Sequence, residues 1–302
     1  MTVSRTYFDP HTLARLNGLQ LRARHLVEGF VAGLHRSPWK GFSVEFAEHR
    51  EYAPGDDLRY VDWKVYGRTG KHYVKQFEDE TNLVAYLALD VSESMTYRGP
   101  AAAMSKLEYA QLLLAAIGWL VLKQQDAVAL ATFDSQVRAA LRPSSDATQT
   151  QGLVRLLEEA VAQAKEVSNF ATALKDLAAR WIKRGVVIIA TDAFAEVEVI
   201  VSGLAALVAR KHDVILWQVL DRAEWEFPFS GPLRVTGLEA LATRDVDGDH
   251  VRRAYQVQMS KHQRQLQARC GSMGVEMVRS FSDEPVDQVL SQLLHRRLAR
   301  NT

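Results

Sequence analysis

Up to about residue 81 the apolar positions change rhythm every few residues; beyond it they settle into alternating strand-like and helix-like segments. In the first part, short helices are expected at 10–16 and 20–33, the second carrying Ala23, Leu26, Val27 and Phe30 on one face. A loop with Pro38 and Gly41 follows. The alternation in VEFAEHREY (44–52) predicts a strand, PGDD (54–57) a turn, and LRYVDWKV (58–65) a short helix with Asp56 or Asp57 at its N-cap. HYVKQFE (72–78) reads as a second strand. Together these make a small α+β module over 1–81.

From residue 82 onward NLVAYLAL (82–89) is a mostly apolar run, the pattern of a strand buried on both faces. A long helix is expected at 106–123, strands at 126–133 and 137–141 joined through Asp134 and Ser135, and helices at 148–164 and 172–183. GVVIIAT (185–191) is another buried strand, followed by a helix at 196–210 and a strand at 213–220. A loop-rich stretch, 221–247, precedes a polar helix at 250–269, a strand at 275–278 and a helix at 286–297. Strands separated by helices imply crossover connections, so 82–302 is expected to be a doubly wound α/β domain with a mostly parallel sheet.

Composition narrows the function. With 37 basic and 36 acidic residues the net charge is +1, which gives no overall field to gather nucleic acid or an anionic membrane. Basic residues of the last two helices (Arg252, Arg253, Lys261, Arg264, Arg269, Arg296, Arg297, Arg300) lack interleaved aromatics and read as a solvated face. The single cysteine, Cys270, excludes an internal disulfide and a multi-cysteine zinc site. The first residues lack a secretory signal pattern, and the apolar stretches 112–122 and 185–190 fall short of the roughly 20 residues of a membrane helix. A cytoplasmic protein without membrane insertion is expected.

The chemistry gathers at strand ends. The first buried strand runs into Asp90-Val91-Ser92-Glu93-Ser94, one carboxylate and two hydroxyls on alternate residues, at the edge where doubly wound sheets bind ligands. Such oxygen donors suit a hard cation, above all Mg²⁺. The strand at 185–191 also ends in an acid, Asp192, and Ser168 can add a third oxygen. The competing structural reading is a turn or helix cap, which Ser and Asp also favour. No HExxH, GxxxxGK[ST] or GxGxxG motif occurs.

The Asp90–Ser94 run, the Ser168-to-Leu174 segment and Thr191-Asp192 resemble the metal-ion-dependent adhesion site of von Willebrand factor A domains. Serine stands at 168 where that family usually has threonine, and Ala193 where many members have glycine. Upstream, residues 33–80, with Tyr52, Gly55-Asp56-Asp57, Arg59, Asp62-Trp63 and Arg68-Thr69-Gly70, resemble the signature of the DUF58 family, bacterial proteins that carry this block before a von Willebrand-type domain. The resemblance implies a Mg²⁺-dependent, non-enzymatic adaptor acting with a MoxR-type AAA+ ATPase on a client protein. Mn²⁺ or Ca²⁺ are the other cations it admits. In that reading Ser92 and Ser94 bind the ion directly, Ser168 directly or through water, and Asp90 and Asp192 chiefly through water.

The block Asp56, Asp57, Arg59, Asp62, Trp63 and Arg68 admits three readings: internally paired charges around a capped helix, a contact surface for a partner, or a second carboxylate metal site. The last carries the alternative function, a metal-dependent phosphoesterase or nuclease using Asp56, Asp57 and Asp62, or the Asp90 site itself.

Overall fold

The computed structural model describes residues 18–33, 46–51, 63–70, 73–77, 83–161, 169–236 and 243–300. The chain divides into two compact units, Trp39–Leu83 and Met1–Pro38 with Val84–Thr302. The first described helix, α1 (Leu19–Gly33), therefore belongs to the larger unit and not to an N-terminal module over 1–81. The reason is its apolar face: Leu19, Ala23, Leu26 and Val27 are buried against a helix of the larger unit, and the Leu19 N–H donates to Glu158 Oε1 at 2.9 Å.

In the smaller unit β1 (Phe46–Glu51) pairs antiparallel with β2 (Tyr73–Phe77), and α2 (Trp63–Thr69) lies between them in sequence. The helix continues past the expected end at 65 because its stop signal is Gly70. That residue sits at φ +69° and donates its N–H to the Tyr66 carbonyl at 2.8 Å, a conformation glycine adopts at little steric cost. The segments 10–16, 34–45 and 52–62, with the expected first helix and PGDD turn, lie outside the described residues.

The larger unit continues with β3 (Val84–Asp90), a 3₁₀ turn (Glu93–Thr96), α3 (Lys106–Lys123), β4 (Ala127–Phe133), β5 (Val137–Ser144) and α4 (Gln149–Glu158). Then come α5 (Phe170–Arg180), β6 (Val186–Thr191), α6 (Val197–Ala209), β7 (Asp213–Leu220) and α7 (Arg222–Glu226). The hairpin β8 (Pro232–Val235) and β9 (Arg244–Asp247) leads into α8 (Gly248–Ser272), β10 (Glu276–Phe281) and α9 (Val286–Arg300). The stretch expected to be loop-rich thus holds a short helix and a hairpin. Their sequences are too short and polar to show periodicity; α7 is fixed by an Asp221/Glu224 capping box and the hairpin carries an Arg234–Asp245 ion pair at 2.8 Å.

Six strands form one sheet in the order β10-β7-β6-β3-β4-β5, all parallel except the edge strand β5. Counted along the chain this is 3-2-1-4-5-6, and the direction of growth reverses between β3 and β6. In open α/β sheets such a reversal, at the carboxyl ends of the two strands, is where ligands bind. Every residue of β3 and β6 is buried, as their unbroken apolar runs require. One sheet face carries α5, α6 and α8 in a continuous core with Leu174, Leu177, Leu204, Leu207 and Leu266. α3 packs on the sheet under α1, which explains why it is apolar nearly all round. The architecture is α/β, a six-stranded and mostly parallel sheet with helices packed on it.

Candidate metal centre

Asp90 is the last residue of β3, and its carboxylate shapes the loop that follows. Oδ1 accepts the Ser92 N–H at 2.9 Å, a local turn that brings the Ser92 and Ser94 hydroxyl oxygens to 3.1 Å from each other. Oδ2 accepts the Thr191 hydroxyl at 2.6 Å, and the same hydroxyl oxygen accepts the Ala193 N–H at 3.0 Å. Thr191 therefore ties the ends of β3 and β6 together across the switch point. Ala193 adopts φ +54°, a strained conformation for alanine. Its carbonyl oxygen lies 2.9 Å from the His262 ring nitrogen Nε2.

The donor set fits a hard cation. Two ligands at right angles on an octahedral Mg²⁺, each about 2.0–2.1 Å from the ion, are about 2.9 Å apart, and about 3.4 Å apart at Ca²⁺–oxygen distances. The Ser92–Ser94 separation of 3.1 Å falls between these values. Their mutual hydrogen bond uses one donor, which leaves acceptor lone pairs on both hydroxyls. Asp90 and Ser92 are buried and Ser94 is half-buried. Burial, and secondly the charge of Asp192, push the Asp90 carboxyl up to about 7, although hydrogen bonds from Thr191 and Ser92 pull the other way. A cation beside it would relieve that tension. Among the described residues no three His, Cys, Asp or Glu side chains gather as a metal cluster, so the hydroxyls are essential to this donor set.

Asp192 is differently held. Its Oδ2 receives the Lys106 ammonium at 2.9 Å, Oδ1 lies 3.4 Å from the Phe194 N–H, and its backbone carbonyl accepts from Gln218 at 3.0 Å. Lys106 Nζ also reaches Glu224 Oε1 at 2.7 Å and lies 4.8 Å from the centre of the Phe194 ring. Burial works to lower the Lys106 pKa, but the two carboxylates outweigh it and the ammonium is held above its ordinary range. Glu224 is raised, chiefly by burial, with Lys106 opposing. Nearby, Asp221 Oδ2 accepts the Gly99 N–H at 2.8 Å and the Ser282 hydroxyl at 3.2 Å, tying the loop after β3 to β7 and β10.

Asp90, Ser92, Ser94 and Asp192 are thus brought to one edge of the sheet. Ser168 lies outside the described residues; its neighbour Asn169 caps α5 by accepting the Thr172 N–H at 3.3 Å. Asp56, Asp57, Arg59 and Asp62 also lie outside them. Trp63 opens α2, and Arg68 is exposed near that helix's end in the smaller unit. Sequence reasoning did not single out Thr191 as the bridge to Asp90, nor Lys106 or Glu224. The signal for Lys106 was present: a lysine at the first position of a helix opposes the macrodipole, which favours anions there. Among the basic residues of α8, Arg252 is structural, donating to the Phe227 and Phe229 carbonyls, and Arg269 pairs with Glu198 at 2.9 Å.

A family model described as a protein of unknown function, DUF58, matches residues 48–265. The chain belongs to the DUF58 family. Uncharacterized proteins of Mycobacterium tuberculosis (Rv1480) and Mycobacterium bovis (Mb1516) are 28% identical to this DUF58 chain over 243 residues, 80% of it and 75% of each relative. Among solved structures it is similar to BatB of Bacteroides thetaiotaomicron (17% identity, 72% of this chain and 99% of that one, TM-score 0.40). It is also similar to the SpRpn10 VWA domain (10% identity, 70% and 94%, TM-score 0.40). A third, an aerotolerance-related membrane protein of Bacteroides fragilis, is 16% identical over 72% of this chain and 99% of that one, with a TM-score of 0.42. Among the described residues of the DUF58 chain no helix is long and apolar enough to cross a membrane.

Proposed function

We propose that this DUF58 protein is a non-enzymatic, divalent-cation-dependent interaction module, with Mg²⁺ as the expected ion. The supporting observation is the Ser92–Ser94 hydroxyl pair, 3.1 Å apart, beside the buried Asp90 at the topological switch point. Ser92 and Ser94 would hold the ion directly, Ser168 directly or through water, and Asp90 and Asp192 chiefly through water. A bound ion with mostly neutral direct ligands retains positive charge and attracts a carboxylate from a partner protein. The partner class is a MoxR-type AAA+ ATPase, and the client is a protein presenting Asp or Glu. The Asp56, Asp57, Arg59, Asp62, Trp63 and Arg68 block is a further contact surface in this reading, and the cytoplasm is the compartment in which it operates.

Asp90→Ala is expected to abolish Mg²⁺ binding in calorimetry while leaving the far-UV spectrum unchanged. Equal Mg²⁺ affinity in that variant would remove the site. Pull-down of the full chain with and without Mg²⁺ is expected to recover an AAA+ ATPase only with the ion and intact Asp90. Phosphodiester turnover that disappears in Asp90→Ala or Asp62→Ala would replace the adaptor reading with the hydrolase.

A further inference from the structure

Lys106 breaks a local rule at the first position of α3. The Ser105/Glu108 capping box places an acid in that first turn, as a helix N-terminus favours, yet the residue beside it is a cation with no exposed surface. Burying an ammonium is unfavourable unless it is paired and hydrogen-bonded, and Lys106 is paired twice, to Asp192 after β6 and to Glu224 after β7. The Phe194 ring covers it from another side. One side chain at the start of α3 thus joins the loop that follows β6 to the short helix α7 that follows β7.

The two strand-end aspartates are consequently unequal. Among the described residues Asp90 accepts from neutral donors, Ser92 and the Thr191 hydroxyl, and meets no ammonium or guanidinium. Asp192 has one oxygen against an ammonium and the other facing a backbone N–H. We infer that Lys106 is a positioning residue that holds Asp192 and Glu224 away from a cation at the Ser92–Ser94 pair, leaving that cation one uncompensated protein carboxylate and an affinity for an external one. This inference rests on the cation reading above. It adds that metal affinity is kept low by an internal lysine, and that an acidic ligand gains from it.

The test uses the full chain with Mg²⁺ as the metal and acetate as the carboxylate probe. Lys106→Met is compared with wild type; Lys106→Met/Glu224→Gln removes one of the two orphaned acids where the single variant does not fold. Lys106→Arg tests rescue by a retained cation. Calorimetry is expected to show Mg²⁺ binding tightened tenfold or more in the methionine variants, because Asp192 is released toward the ion. Acetate binding to the Mg²⁺-loaded protein is expected to weaken by a similar factor, with the arginine variant near wild type on both. A residue that only supports the fold would weaken both or move neither. Unchanged or weaker Mg²⁺ affinity in a folded methionine variant, with wild type binding the ion, overturns this inference alone. Absence of Mg²⁺ binding by wild type overturns the cation reading and this inference with it.

Discussion

Thr191→Val is the sharpest probe of how the ends of β3 and β6 are joined. Valine copies the shape of threonine, so packing at this fully buried position is retained while the hydroxyl is lost. The hydroxyl donates to Asp90 Oδ2 at 2.6 Å and accepts the Ala193 N–H at 3.0 Å. At pH 8 and above, where Asp90 is ionised, a hydrogen bond to it contributes about 1.5–3 kcal/mol, and an orphaned buried donor costs about 1–3 kcal/mol, so a loss of about 3 kcal/mol or more is expected. Thr191→Ser is the control: it keeps both hydrogen bonds and removes one methyl, about 1 kcal/mol. The pair isolates about 2 kcal/mol of hydrogen bonding, which for a unit of this size corresponds to roughly 4–8 °C in melting temperature. Thermal and urea unfolding followed by circular dichroism measure it. Valine and serine variants within about 1 kcal/mol of each other would refute the assignment of Thr191 as the tie between β3 and β6.

Gly185→Ala should destabilise the protein by about 3 kcal/mol or more, because its Cβ would meet the Val84 backbone carbonyl and the Tyr86 ring, and two strands must separate to make room; a melting temperature within 2 °C of wild type contradicts this. Cys270 is buried and its thiol is pushed up to about 11 by burial, so the reactive thiolate is scarce at pH 8 and grows about tenfold per pH unit. Iodoacetamide labelling of the native protein should be far slower than that of the unfolded chain at pH 8 and still rising above pH 9; a rate that levels off near pH 9 would show an ordinary, accessible thiol.

The parallel sheet was legible because strands buried on both faces are mostly apolar runs, unbroken in the interiors of β3 and β6 and interrupted by Gln218 in β7. Asp90, Ser92, Ser94 and Asp192 were legible for a related reason, since polar residues that end apolar runs lie at the sheet's carboxyl edge. α7 and the β8–β9 hairpin were not legible: five and four residues are too few to show a period. Membership of α1 in the larger unit was hidden because an apolar helix face does not name the surface it covers. In the sequence Lys106 marks only the start of a helix. Its role depends on Asp192 and Glu224, 86 and 118 residues away, which only the β3–β6–β7 topology brings together.

In the proposed reading the local charge would make weak ion binding consistent with a strong ion requirement. Asp90, Asp192, Glu224 and Lys106, when all are ionised, leave two negative charges, the charge of one divalent cation, inside a chain whose net charge is only +1. Because one ammonium is shared between Asp192 and Glu224, only Asp90 would face an ion without a cationic partner, and the proposed hydroxyl ligands are neutral. Under the proposed reading an acidic partner supplies the missing anionic ligand. Binding is reciprocal: if the ion raises partner affinity by some factor, the partner raises ion affinity by the same factor. A hundredfold coupling, about 2.7 kcal/mol, turns a site half-filled at millimolar Mg²⁺ into one filled at tens of micromolar once the partner is docked. A site that held its ion tightly through both aspartates would have less charge left for the partner. In the proposed reading the buried lysine would therefore make the isolated site weaker and the ternary complex more dependent on its partner.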